Sequence, residues 1–390
     1  MVDVVISGIG QSAVGRKVDR SGIAMTVDAV IAALADAGLD RKDIDGLSTY
    51  PGKLTGNLAH FSPVGTHELI EALKLRLDWY NGGGEGGAQQ AGLLNAVAAI
   101  KAGYARHVIV FRTLKEGSGS LYWQQAAGPS AQRQRVGDRF EYLMPFDALT
   151  VINYVAMSMQ RHFHLYGTTR RQLGAISVNG RTNAALNPAA IFRDPITIDD
   201  YLASRMISTP MCILDCDAPT DSSIAFILSN AEAARDLRST PITIEAMAGA
   251  LHSAASWDQT DMPHMGAHDA ARQLWSRTAL KPTDVDVAQL YDGFSFLTLT
   301  WLEALGFCGI GEGGAFVEGG HRIARDGELP LNTHGGQLSA GRTHGFGFVR
   351  EAVIQLRREA GERQVPGDPQ VAIASAGGGP QAGCMLLTRR

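Results

Sequence analysis

One short pattern in this 390-residue chain occurs twice, at a constant spacing of 241 residues. The first copy is Gly38-Leu39-Asp40-Arg41-Lys42-Asp43-Ile44-Asp45-Gly46-Leu47-Ser48-Thr49-Tyr50. The second is Ala279-Leu280-Lys281-Pro282-Thr283-Asp284-Val285-Asp286-Val287-Ala288-Gln289-Leu290-Tyr291. Leu39 matches Leu280, Asp43 matches Asp284, Asp45 matches Asp286 and Tyr50 matches Tyr291. Each copy reads as the end of a helix, a polar turn and a strand. Each is followed by a Gly-rich loop, an apolar helix and an apolar strand. These fall at 82–88, 91–102 and 108–111 in the first half, and at 335–347, 349–358 and 371–374 in the second. A solenoid repeats at about 20–50 residues, so a spacing this long predicts two similar α/β halves instead. The expected boundary is Arg238-Ser239-Thr240-Pro241, giving halves of 1–239 and 240–390. Residues 113–210 break the rhythm and read as an insertion that lines or covers a site, with helices over Val151 to Gly167 and Arg170 to Arg181.

The chain opens with Val4-Val5-Ile6, a buried strand by pattern, running into Gly8-Ile9-Gly10. A helix follows, with Ala24, Val27, Val30, Ile31, Leu34 and Ala37 at helical spacing and Gly38 as its stop. Strand, glycines and helix suggest a dinucleotide site, but position 13 is Ala and no strand ending in an acid follows. The composition is 45% hydrophobic and 19% charged, which supplies a large core. A net charge of −4 with scattered Lys and Arg gives no footprint for nucleic acid. No uncharged apolar run reaches the roughly 18 residues of a membrane span, and the first residues lack the regions of a signal peptide. A cytoplasmic protein without membrane association is expected. Cysteines at 212, 216, 308 and 384 match no zinc spacing and read as reduced thiols. His264 and His268 stand at i and i+4, but no Glu follows the first and no third ligand is near, so no metal site is expected.

Three segments carry a family resemblance: Tyr291-Asp292-Gly293-Phe294-Ser295, Gly311-Glu312-Gly313-Gly314-Ala315-Phe316-Val317, and Leu329-Pro330-Leu331-Asn332-Thr333-His334-Gly335-Gly336. Together they resemble the C-terminal half of thiolases of the sterol-carrier-protein-X and lipid-transfer type. Asp215-Cys216-Asp217-Ala218-Pro219-Thr220-Asp221-Ser222-Ser223-Ile224-Ala225 resembles the end of the same family's N-terminal half. The likeness spans nearly the whole chain. It implies a duplicated five-layer αβαβα fold, a CoA-thioester substrate and a homodimer, which agrees with the internal repeat.

The departures define the expected chemistry. A thiolase carries a nucleophilic Cys in the first Gly-rich loop, at a helix N-terminus that favours thiolate. Here that loop is Asn81-Gly82-Gly83-Gly84-Glu85-Gly86-Gly87-Ala88, with the nucleophile position expected at Gly83 or its neighbour. The second catalytic Cys is replaced in Ser375-Ala376-Gly377-Gly378-Gly379. The family's Gly-His-Pro motif reads Gly341-Arg342-Thr343, and its Asn-Glu-Ala-Phe or His-Asp-Cys-Phe motif reads Tyr291-Asp292-Gly293-Phe294. Without a thiolate there is no acyl-enzyme. In Tyr291-Asp292-Gly293-Phe294 and Asn332-Thr333-x-Gly335-Gly336-Gln337-Leu338 the chain resembles the cysteine-less aldolases of steroid side-chain degradation, some of which have Tyr where this chain has Arg342. The resemblance implies retro-aldol cleavage of a bulky β-hydroxyacyl-CoA to a ketone and a short acyl-CoA, such as propionyl-CoA or acetyl-CoA. It also implies a small acyl-CoA-binding partner with an OB fold and zinc ribbon, and no cofactor bound by this chain. The alternatives are an acyltransferase or thiolase with a displaced nucleophile, and a non-catalytic thiolase-like subunit.

Retro-aldol cleavage needs a base for the β-hydroxyl proton and donors for the thioester enolate. Tyr291 is the first acid/base candidate, with Arg342 as a cation that lowers its pKa or binds the thioester oxygen. His344, two residues past Arg342, is a natural base. Asp292 would orient Tyr291 or His344, or cap the next helix. Glu85 is the only ionisable group in the first glycine loop and a further candidate base. Gly83, Gly84, Gly377 and Gly378 would offer backbone amides to the oxyanion, with His334 facing the same site.

Overall fold

The repeated segment folds the same way twice. In the computed structural model, which describes residues 3–83, 87–119, 140–148, 150–252, 257 and 263–389, each copy makes a short 3-10 turn, at Arg41–Asp43 and Pro282–Asp284. Asp43 accepts the Asp40 backbone N–H at 2.8 Å, and Asp284 accepts that of Lys281 at 2.8 Å. Asp45 accepts the amides of Arg106 and His107 at 2.9 and 2.8 Å, while Asp286 accepts those of Gln370 and Val371 at 2.7 and 2.9 Å. In both halves this second carboxylate pins the start of the strand that pairs in parallel with the one it precedes. The matched Asp residues are therefore fixtures of the turn.

In chain order the main elements of the first half are β1 (Val4–Gln11), α1 (Gly22–Ala37), β2 (Gly46–Thr49), α2 (Thr66–Leu73), β3 (Trp79–Gly82), α3 (Ala91–Lys101) and β4 (His107–Lys115). Then come α4 (Val151–Tyr166), α5 (Arg170–Ala185), β5 (Asp221–Asn230), β6 (Ile242–Leu251), α6 (Gly266–Trp275) and β7 (Val287–Gln289). The last are α7 (Ser295–Ala304), α8 (Phe346–Arg357), β8 (Val371–Gly377) and β9 (Gln381–Thr388). One half-sheet runs β3-β2-β4-β5-β1 and the other β6-β9-β8-β7. They join edge to edge where Val5 and Ile6 of β1 pair with Thr243 and Ile242 of β6.

Side chains alternate across these strands with period two. Val108 and Val110 of β4 pack in one core with Leu93, Ala96 and Val97 of α3 and with Val349 and Val353 of α8. Ile109 and Phe111, on the opposite face, pack with Ala29, Val30 and Ala33 of α1. The layers are thus α1 and α2, the first half-sheet, α3 with α8, the second half-sheet, and α6 with α7, which is the expected αβαβα order. Gly8 and Gly10, the glycines that resembled a phosphate loop, serve this packing. A side chain on either would strike the backbone of α1.

The rhythm breaks later than expected. β4 continues past residue 113, pairing Leu114 with Ser222 and Lys115 with Asp221. Residues 122–134, expected to be irregular, lie outside the described residues. Thr169 and Gln172 form the capping box that starts α5. Asn179, Asn183 and Asn187, spaced by four on one face of that helix and its end, bind the carbonyls of Leu331 (3.1 and 2.9 Å), Asn332 (3.3 Å) and His334 (2.9 Å). Helix α5 thereby holds the loop at 331–334. Among the described residues, no helix is long and apolar enough to cross a membrane.

Candidate active site

The first glycine loop leaves β3 at Gly82, and helical backbone resumes with a 3-10 turn at Ala88–Gln90 that runs into α3. The helix N-terminus, where amides and dipole favour an anion, therefore falls at Ala88 and not at Gly83. The helix itself begins at Ala91, where the sequence places it, but a run of glycines gives no register for the turn before it, so the nucleophile position expected at Gly83 or its neighbour falls short of that turn. Ala88 has φ 49°, a conformation that L residues seldom adopt. A Cβ on Gly377 would lie 3.1 Å from its methyl group. A nucleophile on this turn would face the second glycine loop, and a methyl stands there instead. Ser375, in place of the second Cys, is fully buried, and its Oγ accepts the Tyr291 backbone N–H at 2.9 Å. Gly84 and Glu85 lie outside the described residues.

Three side chains from three elements meet beside Ala88. The Gln89 amide nitrogen is 3.5 Å from Tyr291 Oη and 3.4 Å from His344 Nε2. Tyr291 and His344 are buried, while Gln89 is half-buried. Burial pushes the Tyr291 phenol well above its ordinary pKa; Arg342 pulls it down, and Asp217 pushes it further up. Tyr291 is thus a proton and hydrogen-bond donor at neutral pH. His344 has φ 52° and meets Phe61 edge-on, with centroids 4.6 Å apart. Its Nδ1 accepts the Nε–H of Arg112 at 3.1 Å. Arg112 is buried in β4 and also donates to Ser62 Oγ (3.0 Å) and to the carbonyls of Thr113 (3.1 Å) and Phe61 (2.7 Å). Burial and the charges of Arg112 and Arg342 hold His344 far below the usual imidazole range. With its Nδ1 lone pair engaged by Arg112 and its proton affinity lowered, the ring takes up a proton weakly, which speaks against the reading of His344 as the base.

Arg342 lies between two carboxylates, 3.3 Å from Asp217 and 3.5 Å from Glu116, with its guanidinium 5.9 Å from the Phe61 ring centre. Asp217 is placed by its backbone N–H, which donates to the Gly293 carbonyl at 3.2 Å, two residues beyond Tyr291. Burial pushes its carboxyl up to about 6; Arg342 opposes this shift and Glu116 adds to it.

Other expected residues have different work. Asp292 neither orients Tyr291 nor caps α7, whose N-cap is Phe294 without a side-chain bond. Its Oδ1 accepts the Gln337 N–H at 2.7 Å and its Oδ2 the Asn332 amide at 3.3 Å. Burial pushes it up to about 8 despite those amides. Gly336, at φ 62°, packs against this carboxylate and leaves no room for a side chain. His334 does not join the cluster. It stacks edge-on against Phe348 and lines a small cavity with Glu351, Arg350 and Arg363, where burial lowers it to about 4. The Gly378 N–H is taken by the Gln381 carbonyl at 3.0 Å, which removes it from the available oxyanion donors. The Gly377 carbonyl accepts Trp301 Nε1–H at 3.0 Å.

A family model described as thiolase C-terminal domain-like matches residues 248–387. Over 389 residues, 98% of each chain, the protein is 36% identical to the 17-hydroxy-3-oxo-4-pregnene-20-carboxyl-CoA lyase of Mycobacterium tuberculosis. The chain belongs to the thiolase superfamily. It is 35% identical to the steroid side-chain-cleaving aldolase of Thermomonospora curvata over 390 residues, 98% of this chain and 97% of that one. A solved structure, an Ltp2-ChsH2(DUF35) aldolase, superposes with a TM-score of 0.86 at 31% identity, covering 99% of this chain and 98% of that one.

For a thiolase-superfamily member, the state of the thiols is decisive. Cys212 and Cys384 are buried and Cys216 and Cys308 half-buried. Burial raises every one of them, Cys308 to about 12, so none is a ready thiolate. Iodoacetamide at neutral pH is expected to change turnover less than about two-fold. Inactivation that tracks alkylation of one cysteine would return the chain to the acyl-transfer members.

Gln89, Arg112, Glu116 and Asp217 were not singled out from sequence. Arg112 did carry a signal, as a charge directly after the apolar run Val108–Phe111 of a strand buried on both faces. Asp217 lies inside the Asp215–Ala225 motif. Gln89 had no signal, because it acts through where α3 begins.

Proposed function

We propose that the protein is a carbon–carbon lyase that cleaves a bulky β-hydroxyacyl-CoA, with a steroid side-chain thioester as substrate class, into a ketone and propionyl-CoA or acetyl-CoA. The observation that carries this reading is that Tyr291 and His344 converge on Gln89 at the helix N-terminus where the nucleophile is missing. Such a site can bind a developing oxyanion and cannot form an acyl-enzyme.

Asp217, ionised above about pH 6, takes the β-hydroxyl proton. The O–H electron pair becomes the ketone C=O, the Cα–Cβ bond breaks, and its pair passes through Cα to the thioester oxygen. Tyr291 donates to that oxygen, and the proton taken up by Asp217 returns to Cα as the enolate pair closes on it, which releases the short acyl-CoA and restores the carboxylate. The cleavage is redox-neutral and draws base and donors from the chain, so it asks for no cofactor beyond the thioester itself. The resemblance to the Ltp2-ChsH2(DUF35) aldolase supports a heteromeric partner; we take that partner to be a small protein with an OB fold and zinc ribbon, the chain to be a homodimer as thiolase-like folds are, and the assembly to be cytoplasmic.

The test is mass spectrometry of products from a panel of β-hydroxyacyl-CoA esters, using protein co-purified with its operon partner. Ketone and short acyl-CoA are expected. Thiolysis of a β-ketoacyl-CoA by free CoA, or no turnover with the partner present, rejects the lyase. Because the Asp217 carboxylate faces Arg342 and Glu116 and is felt by Tyr291 and Asp292, its titration belongs to that cluster. kcat/KM should fall about ten-fold per pH unit below about 6. Asp217→Asn should lose roughly 100-fold together with that acid limb, and a variant that keeps the limb removes Asp217 as the base.

A further inference from the structure

We propose that Arg112 and Gln89 hold His344 as a neutral imidazole with its one proton on Nε2, so that His344 donates a hydrogen bond to the thioester oxygen and Arg112 is its positioning residue. The role toward substrate rests on the lyase reading; the protonation state of the ring does not.

Arginine carries N–H donors and no acceptor. The 3.1 Å contact between Arg112 Nε and His344 Nδ1 therefore admits one hydrogen bond, from Nε–H to a lone pair on Nδ1. A proton on Nδ1 would oppose two donors and set a second cation against Arg112. The charged groups that act on the ring are Arg112, from β4, and Arg342, from its own loop; both are cations. Glu116 and Asp217 pair with Arg342. The remaining tautomer carries its proton on Nε2.

That proton points toward the Gln89 side chain, 3.4 Å away, where an amide nitrogen cannot accept it. Gln89 Oε1 is buried without a hydrogen-bond partner among the described residues. Half a turn of the amide exchanges the two atoms. Oε1 then accepts from both His344 Nε2–H and Tyr291 Oη–H, whose oxygen is 3.5 Å from the same amide atom. Two donors converging on one oxygen is the arrangement an enolate needs. A substrate oxygen entering beside half-buried Gln89 takes over the same two donors. When the Cα–Cβ bond breaks and its pair reaches the thioester oxygen, the new charge meets hydrogen bonds already aimed at it. No proton leaves His344.

Two measurements test this on the full chain. In histidine-labelled protein, long-range proton–nitrogen NMR should show His344 with one bare and one protonated nitrogen, unchanged from about pH 5 to 8. The His344→Gln variant identifies its signals, and Arg112→Gln should let the ring titrate in that window. In turnover, His344→Gln, whose amide N–H reaches where Nε2–H was, should stay within about ten-fold of wild type, while His344→Leu loses roughly 100-fold. A ring protonated on Nδ1 near neutrality, or His344→Gln as inactive as His344→Leu with both variants folded, overturns the proposal. Wild-type protein with its partner that cleaves none of the esters overturns the substrate role, while the NMR result still judges the tautomer.

Discussion

Tyr291→Phe is expected to lower turnover of a β-hydroxyacyl-CoA by roughly 100-fold, with KM changed far less, because one pre-aimed donor is lost when charge appears on the thioester oxygen. The substitution deletes only the hydroxyl. The backbone of residue 291 stays tied to Ser375 Oγ, and the ring keeps Phe348 as its neighbour, 6.0 Å between centroids. A loss in kcat therefore reports chemistry and not displacement of the loop. Burial keeps the phenol protonated across the physiological range, so the acid limb set by Asp217 should persist in the variant. Steady-state kinetics across pH measures both effects. A loss under about three-fold would remove Tyr291 from the transition state.

The largest expected effect on stability is that of Arg363→Ala. Glu351 is buried on α8 and receives Arg363 through two bonds, at 3.1 and 3.0 Å. Its carboxylate also takes Thr333 Oγ1–H at 2.9 Å, which anchors the loop that carries Asn332 and Gly336 against Asp292. Burial alone would raise the Glu351 carboxyl; the Arg363 charge and hydrogen bonds outweigh it and hold the group below its usual range. Removing Arg363 strands a buried charge at a cost of about 3–5 kcal/mol. The sign of the pH effect follows. In wild type the depressed Glu351 contributes stability above the usual carboxylate pKa of 4.5, lost as pH falls through its lower folded value. In the variant burial raises that pKa, so its deficit shrinks as pH falls. Denaturant unfolding of both proteins at neutral and mildly acid pH measures this, and a deficit under about 1 kcal/mol would show that the pair is not what holds the loop.

How much the linear chain reveals depends on the reach of each interaction. The turn carboxylates Asp43 and Asp284 bind amides three residues away, so a repeated spacing disclosed repeated structure. The strand and helix patterns disclosed the layers, since burial on one or both faces is written as periodicity. The missing thiolate was equally plain, because a nucleophile loop without Cys is a statement of composition. The chain by itself thus determined the duplicated α/β body, its thiolase kinship and the absence of a cysteine from the first glycine loop.

The division of labour in the site was decided only by the tertiary structure. Gln89 meets Tyr291 across 202 positions and His344 across 255, and Arg112 reaches His344 across 232. No local pattern announces such pairs. A buried guanidinium on a ring nitrogen makes a donor of a histidine that its ordinary pKa marks as a base. Desolvation beside Arg342 likewise brings Asp217, an unremarked acid in a motif, close to neutrality. Protonation states are set by what surrounds a group once water is removed, and folding alone assembles those surroundings.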